Sequence, residues 1–191
     1  MGVTEEYAKY SCLLLIMKGS LLMDNKWSEW KYIPSRPRPR GKYPRLYEHA
    51  YGIYQIRAAD VAGKPIPIPR MGSVDEEGIL YIGRSGYKDR SPSRTLAVRL
   101  KEFEQVDHSG AQTYFLAECT GCLNQGIYKK HKLQCRVMYL SGDKEEIDKK
   151  EIGAIGQYFC RFGELPPCNS SFPGKFSYFL EIFKNAKILS N

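Results

Sequence analysis

A glutamate interrupts what is otherwise a continuous apolar helix face. Ile147, Ala154, Ile155, Tyr158 and Phe162 recur at i, i+7, i+8, i+11 and i+15, which predicts one buried stripe on a helix. Steps of about 100° per residue put Glu151 near the middle of that stripe. A carboxylate so placed is paired, protonated or holding a cation, because burying it bare costs too much. The helix therefore predicts a site as well as a core. Asp143 followed by Glu146 marks its start as a capping box. Gly163 marks its end, and Pro166-Pro167 forbid continuation.

The chain has 191 residues, enough to bury one proper core, so a single domain with extensions is expected. Its formal net charge is +8, an excess that favours a polyanion partner. Fourteen tyrosines and eight phenylalanines add stacking surfaces to the core. Six cysteines in a chain of this size do not suggest a disulfide scaffold. The apolar run Cys12 to Met17 follows Glu5 and Glu6 rather than a basic start. It is too short for a membrane span, and a reducing cytoplasm is the expected setting.

Two parts are expected: an N-terminal segment with a basic arm over 1–47, and the main domain over 48–191. Residues 1–24 suit a short helix or strand with Leu13, Leu14, Leu15, Ile16, Leu21 and Leu22 on one face. Ser35 to Arg45 reads SRPRPRGKYPR. Prolines block helix and interior strand there, so Arg36, Arg38, Arg40, Lys42 and Arg45 form an extended basic arm or linker. Tyr51 to Arg57 and Ile79 to Ile82 read as strands, separated by an insertion over 58–78 whose prolines keep it extended or turning. Ser91-Pro92 resembles a helix start. Leu96, Leu100 and Phe103 would form that helix's buried stripe, with Arg99 at its edge. Cys135 to Leu140 reads as a third strand, and a closing helix is expected from about Phe176.

Two tripeptides lie upstream of Glu151, Gly52-Ile53-Tyr54 and Tyr81-Ile82-Gly83. With Arg99 on one helix, Glu151 on another and Asn169 after the Pro-Pro turn, they resemble the GIY-YIG nuclease family over roughly residues 51–169. The resemblance implies an α/β (α+β) fold with a small, mainly antiparallel three-stranded sheet flanked by helices. It also implies a catalytic set of Tyr54, Tyr81, Arg99, Glu151 and Asn169, with Glu151 holding one Mg²⁺ or Mn²⁺. The chain departs from the family in two places. The insertion pushes the motifs apart. Phe103 stands where many members carry a histidine or tyrosine, leaving His108 as the nearest replacement.

These residue types suit phosphodiester hydrolysis. The resemblance gives Tyr54 the role of general base, which requires nearby cations to lower its pKa. It gives Tyr81 the positioning of water and phosphate. Arg99 offers a planar fork of donors for phosphate charge. Arg84, Lys88, Arg90 and Arg94, together with Arg36, Arg38 and Arg40 of the arm, are the expected contacts to double-stranded DNA. Cys119-x-x-Cys122 with His131 and Cys135 has zinc-knuckle spacing. However, Cys135 starts a core strand, where cysteine serves as a small apolar residue. The expected activity is that of a metal-dependent DNA endonuclease, as a type II restriction enzyme with a companion methyltransferase. The alternatives are a homing or DNA-repair nuclease, or a noncatalytic nucleic-acid-binding protein of the same fold. One catalytic centre cuts one strand, so cutting both requires a homodimer on DNA or two visits.

Overall fold

Apart from its first residue, the strand β2 (Tyr51–Ala59) is buried along its whole length, and a strand buried on both faces belongs in the middle of a sheet. It pairs antiparallel with β5 (Ile79–Arg84) on one side and β6 (Lys132–Leu140) on the other. The short β1 (Lys31–Tyr32) adds to the far edge of β6, giving the order β1-β6-β2-β5. The structure is a computed structural model that describes residues 26–33, 47, 49–105, 107, 109–119 and 131–174. No helix among them is long and apolar enough to cross a membrane.

The mixed α/β architecture with an antiparallel sheet agrees with the sequence reading, but the sheet has four strands rather than three. The extra strand comes from the segment assigned to the N-terminal arm. An unpaired β6 edge would leave a row of open backbone groups. Residues 28–33 cover it: Ser28 N donates to Val137 O at 2.8 Å, Val137 N to Ser28 Oγ at 3.0 Å, and Ile33 N to Leu133 O at 2.8 Å.

The insertion is docked rather than loose. It contains a small antiparallel pair, β3 (Ile68–Pro69) and β4 (Val74–Asp75). Asp75, only 2% exposed, accepts from Ile79 N at 2.8 Å, Glu77 N at 3.0 Å and Tyr158 Oη at 3.1 Å. Gly72 N donates to Phe162 O at 2.9 Å, so the insertion also holds the end of the long helix α3 (Lys144–Phe162).

The two sheet faces carry different helices. Tyr54, Ile56, Ala58 and Val137 pack with Leu96, Leu100 and Phe103 of α1 (Leu96–Glu104) and Ala111 of α2 (Ser109–Cys119). Ile79 and Ile82 pack with Ile155, Tyr158 and Phe162 of α3. Helix α3 starts as expected: Asp143 accepts from Glu146 N at 2.9 Å, although Glu146 reaches back to Ser141 N rather than to Asp143. It ends at Gly163, whose φ of 75° and N–H bond to Phe159 O form a left-handed cap.

Helix α1 corrects the sequence reading. It starts at Leu96 after Thr95, not at Ser91-Pro92. Ser91 instead closes the loop after β5, its Oγ accepting from Tyr87 N at 2.8 Å and its N–H donating to Tyr87 O. The loop closes on itself through Gly86 N to Arg94 O at 2.6 Å, and Leu96 N is bonded to Ala50 O at 2.9 Å where the helix begins. The segments over 1–24 and 35–45 and the helix expected from Phe176 lie outside the described residues.

Candidate active site

The antiparallel register sets Tyr54 opposite Gly83 and Ile56 opposite Tyr81. The two-residue period then places both tyrosines on one face as diagonal neighbours. Their ring centroids are 5.9 Å apart at 42°, and their hydroxyls are hydrogen-bonded to each other. The motif glycines have steric reasons to be glycine. A Cβ on Gly83 would sit 2.5 Å from Tyr81 Cε1 and 2.9 Å from Tyr54 Cζ. Gly52 has φ +148°, and a Cβ there would run into the Met138 carbonyl. The two motifs are also tied together, since Gly52 N donates to Ser85 Oγ at 3.0 Å and Ser85 N to Gly52 O at 2.9 Å.

Tyr54 is sealed from solvent at 0% exposure, and Tyr81 is 9% exposed. Burial pushes the Tyr54 pKa up to about 12, with Glu151 and Glu102 adding to the rise and Arg99 opposing it. Tyr81 is raised further, again chiefly by burial. The expected lowering of Tyr54 by nearby cations is therefore not what the protein shows. One guanidinium does not offset complete desolvation of the phenolate.

Arg99 reaches this pair from α1. Its Nε donates to Arg84 O at 3.2 Å, and its Nη1 pairs with Glu102. Burial works against its charge, yet Tyr54, Glu102 and Tyr81 outweigh that and raise its pKa. Glu102 also receives Arg94 at 3.0 Å. Burial opposes its charge too, but the hydrogen bond from Arg94 and the charge of Arg99 hold it below the usual carboxylate range.

Glu151 comes from α3 and is 9% exposed. Of the three fates open to it, pairing is the one observed: Arg84 Nε lies 2.9 Å from Glu151 Oε2. Burial lifts its pKa to about 7 even so, with Arg84 pulling down and Asp148 pushing up. Asp148, one turn earlier on α3, lies 3.5 Å from the same Arg84 Nε, accepts from Tyr87 Oη at 2.7 Å and pairs with Lys144. Arg84 thus joins the two halves of the site, its carbonyl bonded to Arg99 and its guanidinium to Glu151.

Asn169 is bonded to the backbone of the second motif. Its Nδ2 donates to Ile82 O at 2.8 Å, and its Oδ1 accepts from Ile82 N at 3.0 Å. With Cys168 N bonded to Leu80 O at 2.8 Å, it covers the outer edge of β5 and steadies the second motif. Phe103 packs on Tyr81 at 5.7 Å and carries no proton to the site. Gly110 of α2 closes the other side of that ring, since a Cβ there would fall 2.5 Å from Tyr81 Cε2.

Among the expected DNA contacts, Lys88 and Arg90 are exposed, Arg94 is exposed but paired with Glu102, and Arg84 is engaged with Glu151. Arg36, Arg38, Arg40, His108 and Cys122 lie outside the described residues, as does the Cys119 side chain. Cys135 is 4% exposed in the core, and burial raises its thiol to about 12. His131 Nε2 is bonded to Tyr114.

Sequence reasoning missed Asp148, Glu102, Tyr87 and Gly110. Asp148 and Glu102 had a signal in their i−3 and i+3 spacing to Glu151 and Arg99; Gly110 had none. No known protein family, curated protein or solved structure matches this chain.

Proposed function

We propose that this chain is a metal-dependent DNA endonuclease of the GIY-YIG kind, acting as a type II restriction enzyme. The observation that carries the reading is convergence. Tyr54, Tyr81, Arg99 and Glu151 come from four separate elements, yet each is close enough to shift the protonation of others in the group. The motif resemblance selects the same four residues without any use of geometry. Perturbed titratable groups that converge in this way are what a reactive site needs.

Each residue has work to do in that chemistry. Arg99, held by Glu102 and the Arg84 carbonyl, presents its remaining donors to phosphate oxygens. Tyr81, hydrogen-bonded to Tyr54, would donate to and stabilise a phenolate there. Arg99 adds positive charge on the same side, and burial opposes both. Asn169 keeps the strand carrying Tyr81 in register. Arg84 is released to the phosphate when its pairing with Glu151 is broken.

The residues present fit a divalent cation. Glu151 Oε1 has no bonded partner among the described residues, Asp148 stands beside it, and Arg84 already marks the place as one that takes positive charge. Glu151 would hold Mg²⁺ or Mn²⁺, mostly through water. When bound, such an ion supplies charge stabilisation next to the leaving oxygen.

One observation favours a rival. The complete burial of Tyr54 suits a noncatalytic nucleic-acid-binding protein of the same fold. Nicking of supercoiled plasmid with and without Mg²⁺ separates the two. An endonuclease converts the plasmid only with the metal, whereas a binder retards it in a gel and leaves it intact.

A further inference from the structure

A second polar cluster lies on the sheet face opposite the tyrosines. Gln55 stands directly across from Arg136, and Arg57 across from Gln134. Arg57 Nε donates to Gln134 Oε1 at 2.9 Å, and Arg136 Nε donates to Gln55 Oε1 at 2.7 Å. Both guanidiniums lie over Trp30, at 4.1 and 4.5 Å from its centroid. Arg136 pairs with Glu77 at 3.0 Å. Arg57, 8% exposed, has no carboxylate within ion-pair distance among the described residues.

The arithmetic of donors and acceptors is one-sided. Both glutamine oxygens are used inside the cluster. Arg57 Nη1 and Nη2 and the two glutamine Nε2 atoms have no bonded partner among the described residues, and none of them is sealed from the surface. The open groups of Arg57 and of the two glutamine amides are donors, and Glu77, bonded to Arg136 through Oε2, stands at the edge of the cluster. Here Arg57 is fixed at Nε, stacked on an indole, and left with an open fork.

We propose that Arg57, flanked by the amides of Gln55 and Gln134, is a reading site for the O6/N7 acceptor edge of a guanine in duplex DNA. A guanidinium held in one plane matches those two acceptors. Phosphate oxygens share the acceptor chemistry, but a stem buried and stacked against Trp30 fixes the plane more tightly than a backbone contact requires. The cluster is distinct from the tyrosine site. Arg57 lies four residues along β2 from Ile53, the partner of Arg84, or about 14 Å at about 3.4 Å per residue. This inference rests on the DNA-cleaving reading above.

A randomised duplex library cut by the full chain in Mg²⁺, with the products sequenced, tests it. The wild type should favour guanine at one position, and Arg57→Lys should reduce that preference by about 5- to 150-fold, the range of one bidentate contact, while still cutting. Wild-type protein on a substrate with 7-deazaguanine at that position needs no variant and should lose a comparable factor. A methylphosphonate at the adjacent phosphate should change little. If the methylphosphonate costs more than the 7-deazaguanine, the fork holds a phosphate and the guanine assignment is overturned. If Arg57→Lys cuts with unchanged preference, the inference falls while the nuclease reading stands. If the wild type neither cuts nor binds any duplex, both fall.

Discussion

Replacing Glu151 with Gln isolates the charge that this site buries. In metal-free buffer the unfolded chain loses the Glu151 proton near the ordinary value of 4.5, and the folded protein keeps it until about 7. A carboxyl raised by folding stabilises the protein at low pH, and that stability is lost as the pH rises through about 7. At about 1.4 kcal/mol per pH unit, the displacement from 4.5 to about 7 is worth about 3 kcal/mol. Glutamine cannot ionise and escapes this loss. It does leave Arg84 with only Asp148, 3.5 Å away, a cost that is constant at any pH where Asp148 stays charged. The stability of Glu151→Gln relative to wild type should therefore rise by about 3 kcal/mol between about pH 4 and pH 8. Urea unfolding of both proteins, followed by far-ultraviolet circular dichroism in EDTA, measures it. A difference constant to within about 0.5 kcal/mol would show that Glu151 titrates as an exposed carboxylate and would remove the burial argument. At pH 8, Mg²⁺ should then stabilise the wild type and not the variant, by the linkage of binding to folding. Measurable cutting by Glu151→Gln or Glu151→Ala would take Glu151 out of the mechanism.

Tyr54→Phe should keep the fold and lower the cleavage rate by about 10²–10⁴, the usual worth of a positioned base; a loss under tenfold moves the role elsewhere. Since burial holds Tyr54 at about 12, the wild-type rate should climb about tenfold per pH unit over the neutral to mildly alkaline range, and a flat profile would exclude Tyr54 phenolate as the working base. Gly83→Ala forces a methyl to 2.5 Å from Tyr81 and should cost about 1–3 kcal/mol of stability as the rings are displaced, readable in the same urea series. Asn169→Ala strips both bonds from Ile82 and should cost about 1–3 kcal/mol with slower cleavage; unchanged activity would leave Asn169 without a supporting role. Arg36→Ala, Arg38→Ala and Arg40→Ala together should flatten the log–log salt dependence of DNA binding by about 0.9 for each phosphate no longer neutralised, and an unchanged slope would make that stretch a linker.

Local rules made much of this protein legible in its sequence. The limits of α3 followed from Asp143, Gly163 and a 3.6-residue period, all of which act within a turn or two. Tyr51 to Arg57 and Cys135 to Leu140 were legible as strands from alternation and Ile79 to Ile82 as a short run, although β2 is buried on both faces. The anomaly of Glu151 was visible because a charge on an apolar stripe is costly wherever the stripe packs. Which group offsets that electrostatic cost was not visible. Arg84 and Glu151 are 67 positions apart by their numbering, and only the approach of α3 to the end of β5 brings them together. The same holds for Tyr54. Its chemistry depends on whether burial or Arg99 prevails, and depth in a core is a property of the assembled layers rather than of a motif. The start of α1 moved from Ser91 to Leu96 because Ser91 is taken up by bonds to Tyr87 in the loop and the helix is anchored where Leu96 N meets Ala50 O. The polar cluster at Arg57 was hidden for a related reason. Gln55, Arg57, Gln134 and Arg136 look like unremarkable polar strand residues until the antiparallel register sets them opposite one another and residues 26–33 bring Trp30 over them.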